Sequence, residues 1–319
     1  MQLASLRIVG ADTPEPPWEF VTAPPRSGPG VASMVGYRSL GAPPEVHRGM
    51  PSSTLTFIVS LDDGVEAADT AEALRDARPT PLLLSGLHEQ AAQIRQRRGQ
   101  AGVQLAVHPL AARALFGVPS AELSVTDFDA TAVLGRRAVE LCERAAEARD
   151  WRDAFAVVAD YLVGARQRRD RATVRAEVAY GWHLLERSRG RASVSAVADR
   201  VGVSARHLTT LFNQEVGRSP KAVAMLMRFE HATARMAESV RQRGLVDLAA
   251  VAVDTGYSDQ AHLTREFGRF TGTSPRRWLA EEFRNIQYGG HSFRSDWEHD
   301  CFQSDRVVDI ASPQRPETH

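Results

Sequence analysis

Apolar positions change their period part-way along the chain. Up to about residue 125 they come in short runs, Ser33 to Tyr37, Thr54 to Leu61, Pro81 to Leu84 and Val103 to Val107. Pro- and Gly-rich stretches at Pro14 to Pro17, Pro24 to Gly30 and Gly41 to Pro44 set these runs apart. Such a rhythm predicts several short strands of a β-sandwich or barrel. From Ala130 the spacing turns helical, with Val139, Leu141 and Ala145 in a stretch from Ala130 to Arg149, then Phe155, Val158 and Leu162 between Trp151 and Gln167. The pattern predicts an α+β chain: a β-rich half closed by two helices over residues 1–167, a charged linker over 168–173, an all-α half over 174–284 and a tail over 285–319. The tail mixes Gly289-Gly290, Trp297 and Phe302 with polar residues, and its pattern fits either a disordered segment or one that packs its aromatics.

The all-α half repeats itself. Ala198, Gly202-Val203-Ser204, Leu208, Phe212, Gly217 and Ser219-Pro220 return as Ala252, Gly256-Tyr257-Ser258, Leu263, Phe267, Gly272 and Ser274-Pro275. The offset is 54 residues up to the serines and 55 after them, so one extra residue stands at the head of the second copy's last helix. Each copy has the layout of a helix-turn-helix: a small Ala where helices cross, a Gly for positive φ at the turn, a Ser cap, then an amphipathic helix. Ser193 and Asp247 are placed to cap the short helices and Ser204 and Ser258 the longer ones; Gly217 and Gly272 end them before Ser-Pro restarts the chain. The two units are expected at about 193–216 and about 247–271.

Between them, Lys221 to Glu238 holds no Gly or Pro. A helix there, at about 221–239, rises ~1.5 Å per residue and spans ~27 Å. Successive major grooves on one face of a duplex lie about 34 Å apart, so the spacer has a suitable size. Val223, Leu226, Met227, Phe229 and Met236 cover more than one of its faces, as packing on both units requires.

The repeated pair, and above all Gly256-Tyr257-Ser258-Asp259-Gln260-Ala261-His262-Leu263-Thr264-Arg265-Glu266-Phe267 and Gly272-Thr273-Ser274-Pro275, resembles the C-terminal DNA-binding domain of AraC/XylS-type transcription regulators. The resemblance covers roughly residues 174–284. It implies two helix-turn-helix subdomains on a long helix, with both recognition helices entering neighbouring major-groove segments of double-stranded promoter DNA. It also implies RNA polymerase as a partner, with activation the commoner sign in that family. Ala101 to Leu110, leading to Ala114-Leu115-Phe116-Gly117-Val118-Pro119, is similar to the cupin-like N-terminal half of a subset of these regulators. That likeness implies a barrel that takes a small-molecule effector or dimerises. In the wider family, helices placed like those at 130–167 pair two subunits; the other reading is that they only cover the barrel.

Charge is unevenly shared. The chain carries 39 Lys and Arg against 39 Asp and Glu, yet residues 171–284 hold 18 against 12, a net of +6, which leaves −6 for the rest. A basic third on a neutral chain is the footprint expected of phosphate binding.

Helical spacing turns Leu208, Leu211 and Phe212 inward in the first recognition helix, leaving Arg206, Thr209, Thr210 and Asn213 for base edges or phosphates. In the second, Leu263 and Phe267 turn inward and leave Asp259, Gln260, Ala261, Thr264, Arg265 and Arg269. Arg pairs bidentately with guanine, Gln with adenine, and Ala or a Thr methyl meets the thymine methyl. By similarity to the family, Arg206, Thr209 and Thr210, with Gln260, Ala261, Thr264 and Arg265, fall on its base-facing positions. His207 and His262 suit packing or phosphate, and Asp259 the helix start. Arg228, which matches a recurrent family arginine, has two readings: a phosphate contact or a partner for a structural carboxylate.

Other function classes find little support. His47, His88 and His108 lack an HxH pair or a nearby Glu, so no metal is expected. Two distant cysteines, Cys142 and Cys301, make neither a zinc cluster nor the acceptor site of a DNA-repair methyltransferase. GxSxG, GxxxxGK[ST] and HExxH do not occur, and no catalytic residue or cofactor is expected. The competing class is a catalytic or small-molecule-binding first half with DNA binding secondary. No apolar run approaches the ~18 residues of a membrane helix, and the N-terminus lacks the pattern of a signal peptide, so a cytoplasmic protein is expected.

Overall fold

A computed structural model describes residues 18–23, 30–41, 45–169 and 173–287 of the 319-residue chain. The Pro-rich stretches at 14–17 and 24–29, the middle of the linker and the tail from 288 lie outside the described residues.

The first half contains β1 (Trp18–Thr22), β2 (Val31–Ser39), β3 (Val46–Gly49), β4 (Leu55–Ser60), β5 (Glu66–Ala68), β6 (Leu82–Ser85), β7 (Ala92–Arg95) and β8 (Ala101–Val107). They form two antiparallel sheets, β1-β2-β8-β4-β6 and β3-β7-β5. The expected barrel is therefore β-rich but not closed: the small sheet's strands are three or four residues long, too short to hydrogen-bond along both edges of the large one. Alternation along the large sheet decides what each face meets. Phe57, Val59, Leu82, Leu84, Val103 and Leu105 point to the main core, whereas Thr56, Ile58, Leu83, Ser85 and Gln104 point to the small sheet.

Helices α1 (Ala112–Phe116), α2 (Thr131–Leu134), α3 (Arg136–Ala146) and α4 (Trp151–Gln167) cover the main-core face. The stretch expected as one helix over 130–149 is broken, because Gly135 takes φ +65° and ends α2. Val139 was expected on the inward stripe but is half exposed; the stripe is Ala138, Leu141 and Ala145. Gly36 lets α4 dock: a Cβ there would lie 2.4 Å from the Trp151 ring.

The second half is α5 (Ala176–Arg187), α6 (Val194–Val201), α7 (Ala205–Glu215), α8 (Pro220–Arg243), α9 (Leu248–Asp254), α10 (Gln260–Thr271) and α11 (Pro275–Gln287). The connecting helix α8 runs further than its expected end, to a left-handed Gly244; its 24 residues span ~36 Å. Val223, Leu226, Met227, Phe229 and Met236 are all buried along it, as expected. A fully buried Leu, Met or Phe contributes about 1.5–3 kcal/mol, so α8 is the spine on which both units stand.

One continuous core runs from the large sheet through α4 and α5 to Trp278 on α11. At the joint, the His108 ring packs at a tilt 5.0 Å from the Trp182 ring, and burial lowers the His108 pKa to about 3.

Candidate nucleic-acid interface

The two units are built alike. Gly202 and Gly256 turn the chain at φ +82° and +84°, values that only glycine adopts without cost. Ser193 Oγ accepts the Ala196 N–H at 3.2 Å and Asp247 Oδ1 the Ala249 N–H at 2.9 Å, capping α6 and α9. Ser204 Oγ accepts the His207 N–H at 3.1 Å and caps α7. In the second unit the cap is not Ser258, as expected, but Asp259, which accepts the His262 N–H at 2.6 Å. The extra residue at the head of α10 moves the cap one place along, and Ser258 Oγ meets His262 Nδ1 at 3.0 Å instead.

Leu208, Leu211 and Phe212 of α7, and Leu263, Phe267 and Phe270 of α10, are buried. On the opposite faces Arg206, Thr210, Asn213, Gln260, Ala261, Arg265 and Arg269 are exposed, and Thr209 and Thr264 are half-buried. All nine expected contact positions thus lie at the surface of two recognition helices. The Thr209 and Thr210 hydroxyls donate to the Ala205 and Arg206 carbonyls at 2.8 and 3.2 Å, so their donors are spent on the helix itself.

Each recognition helix carries one acidic residue, and each acid is turned to an arginine outside its helix. Glu215 takes Arg113 Nε of α1 at 2.8 Å. Glu266 takes Arg228 of α8 at 2.9 and 3.1 Å and the Tyr257 hydroxyl at 2.8 Å, with the Arg228 guanidinium 4.8 Å over the Tyr257 ring. Burial works against the Arg228 charge, but Glu266 outweighs it and holds the pKa above its ordinary value. Of the two readings of Arg228, the structure has the carboxylate. His207 is exposed, while His262 packs edge-on to Tyr257 at 5.1 Å.

Arg269 differs from its neighbours. Its guanidinium lies 4.7 Å over the Phe270 ring and 3.9 Å from Glu89, a residue of the first half. Arg218, just past α7, meets the same carboxylate at 3.5 Å. Sequence reasoning did not find Glu89, Arg113, Glu215 or Glu266. The lone acids were a usable signal, since a carboxylate on a helix read as a DNA contact invites a search for its cation.

Residues 197–281 match the family described as a helix-turn-helix domain. Those residues form a helix-turn-helix domain. The match begins within α6 and ends within α11, so it takes in α8 and both recognition helices. Among solved structures the chain is similar to ToxT from Vibrio cholerae. An apo variant of ToxT aligns at 9% identity and TM-score 0.48, over 78% of this chain and 96% of that one. A further crystal form of ToxT gives 10% and 0.46, over 77% and 97%. ToxT bound to an unsaturated fatty acid gives 8% and 0.44, over 74% and 90%. No curated protein matches the chain by sequence.

Away from the helix-turn-helix domain, a cavity of about 160 Å³ lies between the two sheets. Aromatic and aliphatic residues such as Phe20, Ile58 and Phe128 line it, with His47, Arg48 and His88 at its polar side. Among the described residues no group of His, Cys, Asp and Glu is placed to hold a metal, and no helix is long and apolar enough to cross a membrane.

Proposed function

We propose that this chain is a sequence-specific transcription regulator of the AraC/XylS type, not an enzyme, and that α7 and α10 read adjacent major-groove segments of promoter DNA. The observation that carries this reading is the pair of helix-turn-helix units on one helix, each presenting a solvent-facing recognition surface, with Glu215 and Glu266 turned to arginines outside the recognition helices and Asp259 taken up by the α10 cap. The net +6 of residues 171–284 supports it. Arg206, Thr209, Thr210 and Asn213 serve the first groove segment; Gln260, Ala261, Thr264 and Arg265 serve the second, with Arg269 near phosphate. The cavity between the sheets is the place for a small-molecule effector. Val139 and Val163, exposed on α3 and α4, support a homodimer through those helices. Activation through RNA polymerase is the sign proposed, acting in the cytoplasm.

Footprinting on a duplex selected from a random pool tests the reading. One protomer is expected to protect roughly 16–20 base pairs on one face. Arg265→Ala or Gln260→Ala is expected to cost about 1–3 kcal/mol at particular bases and to leave other positions unchanged. A footprint confined to one groove segment, or an unaltered base preference in Arg265→Ala, overturns it.

A further inference from the structure

Two recognition helices read one duplex only if their separation and relative rotation match its pitch. The connecting helix α8 sets the separation. The rotation of each unit about α8 is set by the core packed along it, and the first half supplies a further tie. Its loop 86–91, between β6 and β7, reaches the helix-turn-helix domain at the junction of the two units. The Ala91 N–H donates to the Phe270 carbonyl at 2.8 Å, which pins the loop to the end of α10. From the pinned loop, Glu89 presents one carboxylate to both units: Oε1 lies 3.5 Å from Arg218 Nε beside α7, and Oε2 lies 3.9 Å from Arg269 of α10. The Gly217 backbone beside Arg218 is itself tight on the first half, since a Cβ there would come within 2.8 Å of Ala121 Cα.

We infer that Glu89 is a positioning residue for DNA recognition, a carboxylate of the N-terminal half that bridges Arg218 of the first helix-turn-helix unit and Arg269 of the second and so sets the groove spacing the protein accepts. The inference rests on the DNA-binding reading above and deepens it. It also gives the cavity a route to the DNA: Ser85 and Ala92, at the two ends of this loop, and His88 within it line the cavity wall. A molecule in the cavity would touch the segment that carries the tie. Arg269 then has two uses, phosphate and Glu89, and the tie determines how far it is available.

The test measures spacing tolerance of the full chain. The probe is a duplex selected by the wild-type protein from a random pool, together with versions carrying one extra or one missing base pair between the two protected segments. One base pair turns the second segment by about a tenth of a helical turn, so the wild type is expected to discriminate against both altered duplexes. Glu89→Gln keeps shape and removes charge. It is expected to shrink the spacing penalty about two- to fivefold, the size of a partly exposed ion pair. Arg269→Gln is expected to reproduce the relaxation from the other end of the tie. In an Arg218→Ala, Arg269→Ala background, Glu89→Gln is expected to change nothing further. An equal spacing penalty in wild type and Glu89→Gln overturns the tie while leaving the DNA reading intact. So does an undiminished effect of Glu89→Gln in the double-alanine background. A wild-type chain that enriches no duplex overturns the DNA reading itself.

Discussion

The two helix-turn-helix units are near-copies in sequence and differ in what holds them. Both bury the same Leu and Phe positions and both turn on a left-handed glycine. The second unit is braced from within its own domain, where Glu266, Tyr257 and Arg228 of α8 close a nearly buried network. The first is braced from outside: Glu215 takes Arg113, and the Val216 carbonyl takes the Ser120 hydroxyl at 3.2 Å, both from the first half of the chain. The repeat therefore specifies the shape of a unit, while the single acid on each recognition helix specifies its attachment. The consequence is structural asymmetry. A change in the first half would reach α7 through its brace, whereas among the described residues α10 meets the first half at its end, through Arg269 and Phe270.

The largest expected effect removes the inner brace. Arg228→Ala leaves Glu266, only 9% exposed, without its cation, and a broken buried pair costs about 3 kcal/mol. Thermal or urea unfolding of the full chain checks the size. Hydrogen exchange checks the place: amides of α9 and α10 are expected to lose protection before those of α6 and α7. Equal loss in both units breaks the proposed asymmetry.

The outer brace is expected to be weaker. Arg113 is 38% exposed, so solvent screens its pair, and Arg113→Ala is expected to cost about 1 kcal/mol, mostly from leaving Glu215 buried without a cation. Here the exchange pattern inverts, with α7 losing protection and α10 unchanged. The same measurement on Arg228→Ala and Arg113→Ala thus separates the two attachments, and a loss in α10 from Arg113→Ala counts against them.

How much of this was legible in the sequence follows from the range of each interaction. The units, their glycines, three of four caps and the inward Leu and Phe positions were readable, because a helix encodes its own period and its own ends. Strands β2, β4, β6 and β8 were readable because each carries an apolar run. The small sheet was not: Val46-His47-Arg48-Gly49, Glu66-Ala67-Ala68 and Ala92-Gln93-Ile94-Arg95 are short and mix charged residues with small ones, so none forms an apolar run. Val139 misled because an apolar residue at roughly helical spacing need not lie on the stripe that a neighbouring Ala already fills. The braces were beyond local reading. Glu215 and Arg113 lie 102 residues apart and Arg228 and Glu266 lie 38 apart, so only the assembled fold brings them together.

The smallest effect sharpens the comparison at one residue. The repeat aligns Ser204 with Ser258, and a cap transferred by alignment would give both serines the same energetic role. The extra residue before α10 changes that: Ser204 accepts a helix-end N–H, but in the second unit Asp259 does so and Ser258 contacts the His262 ring. Loss of a cap costs about 1 kcal/mol. Ser204→Ala and Asp259→Ala are each expected to cost about that much in urea unfolding. Ser258→Ala removes only an exposed side-chain contact and is expected to cost a few tenths of a kcal/mol at most. Asp259→Ala carries a further signature, since it also removes a negative charge from the positive end of the α10 dipole; its cost is expected to fall with added salt, whereas that of Ser204→Ala is not. Equal losses from Ser204→Ala and Ser258→Ala, with Asp259→Ala silent, would return the cap to the aligned serine and make the two units true copies at their reading ends.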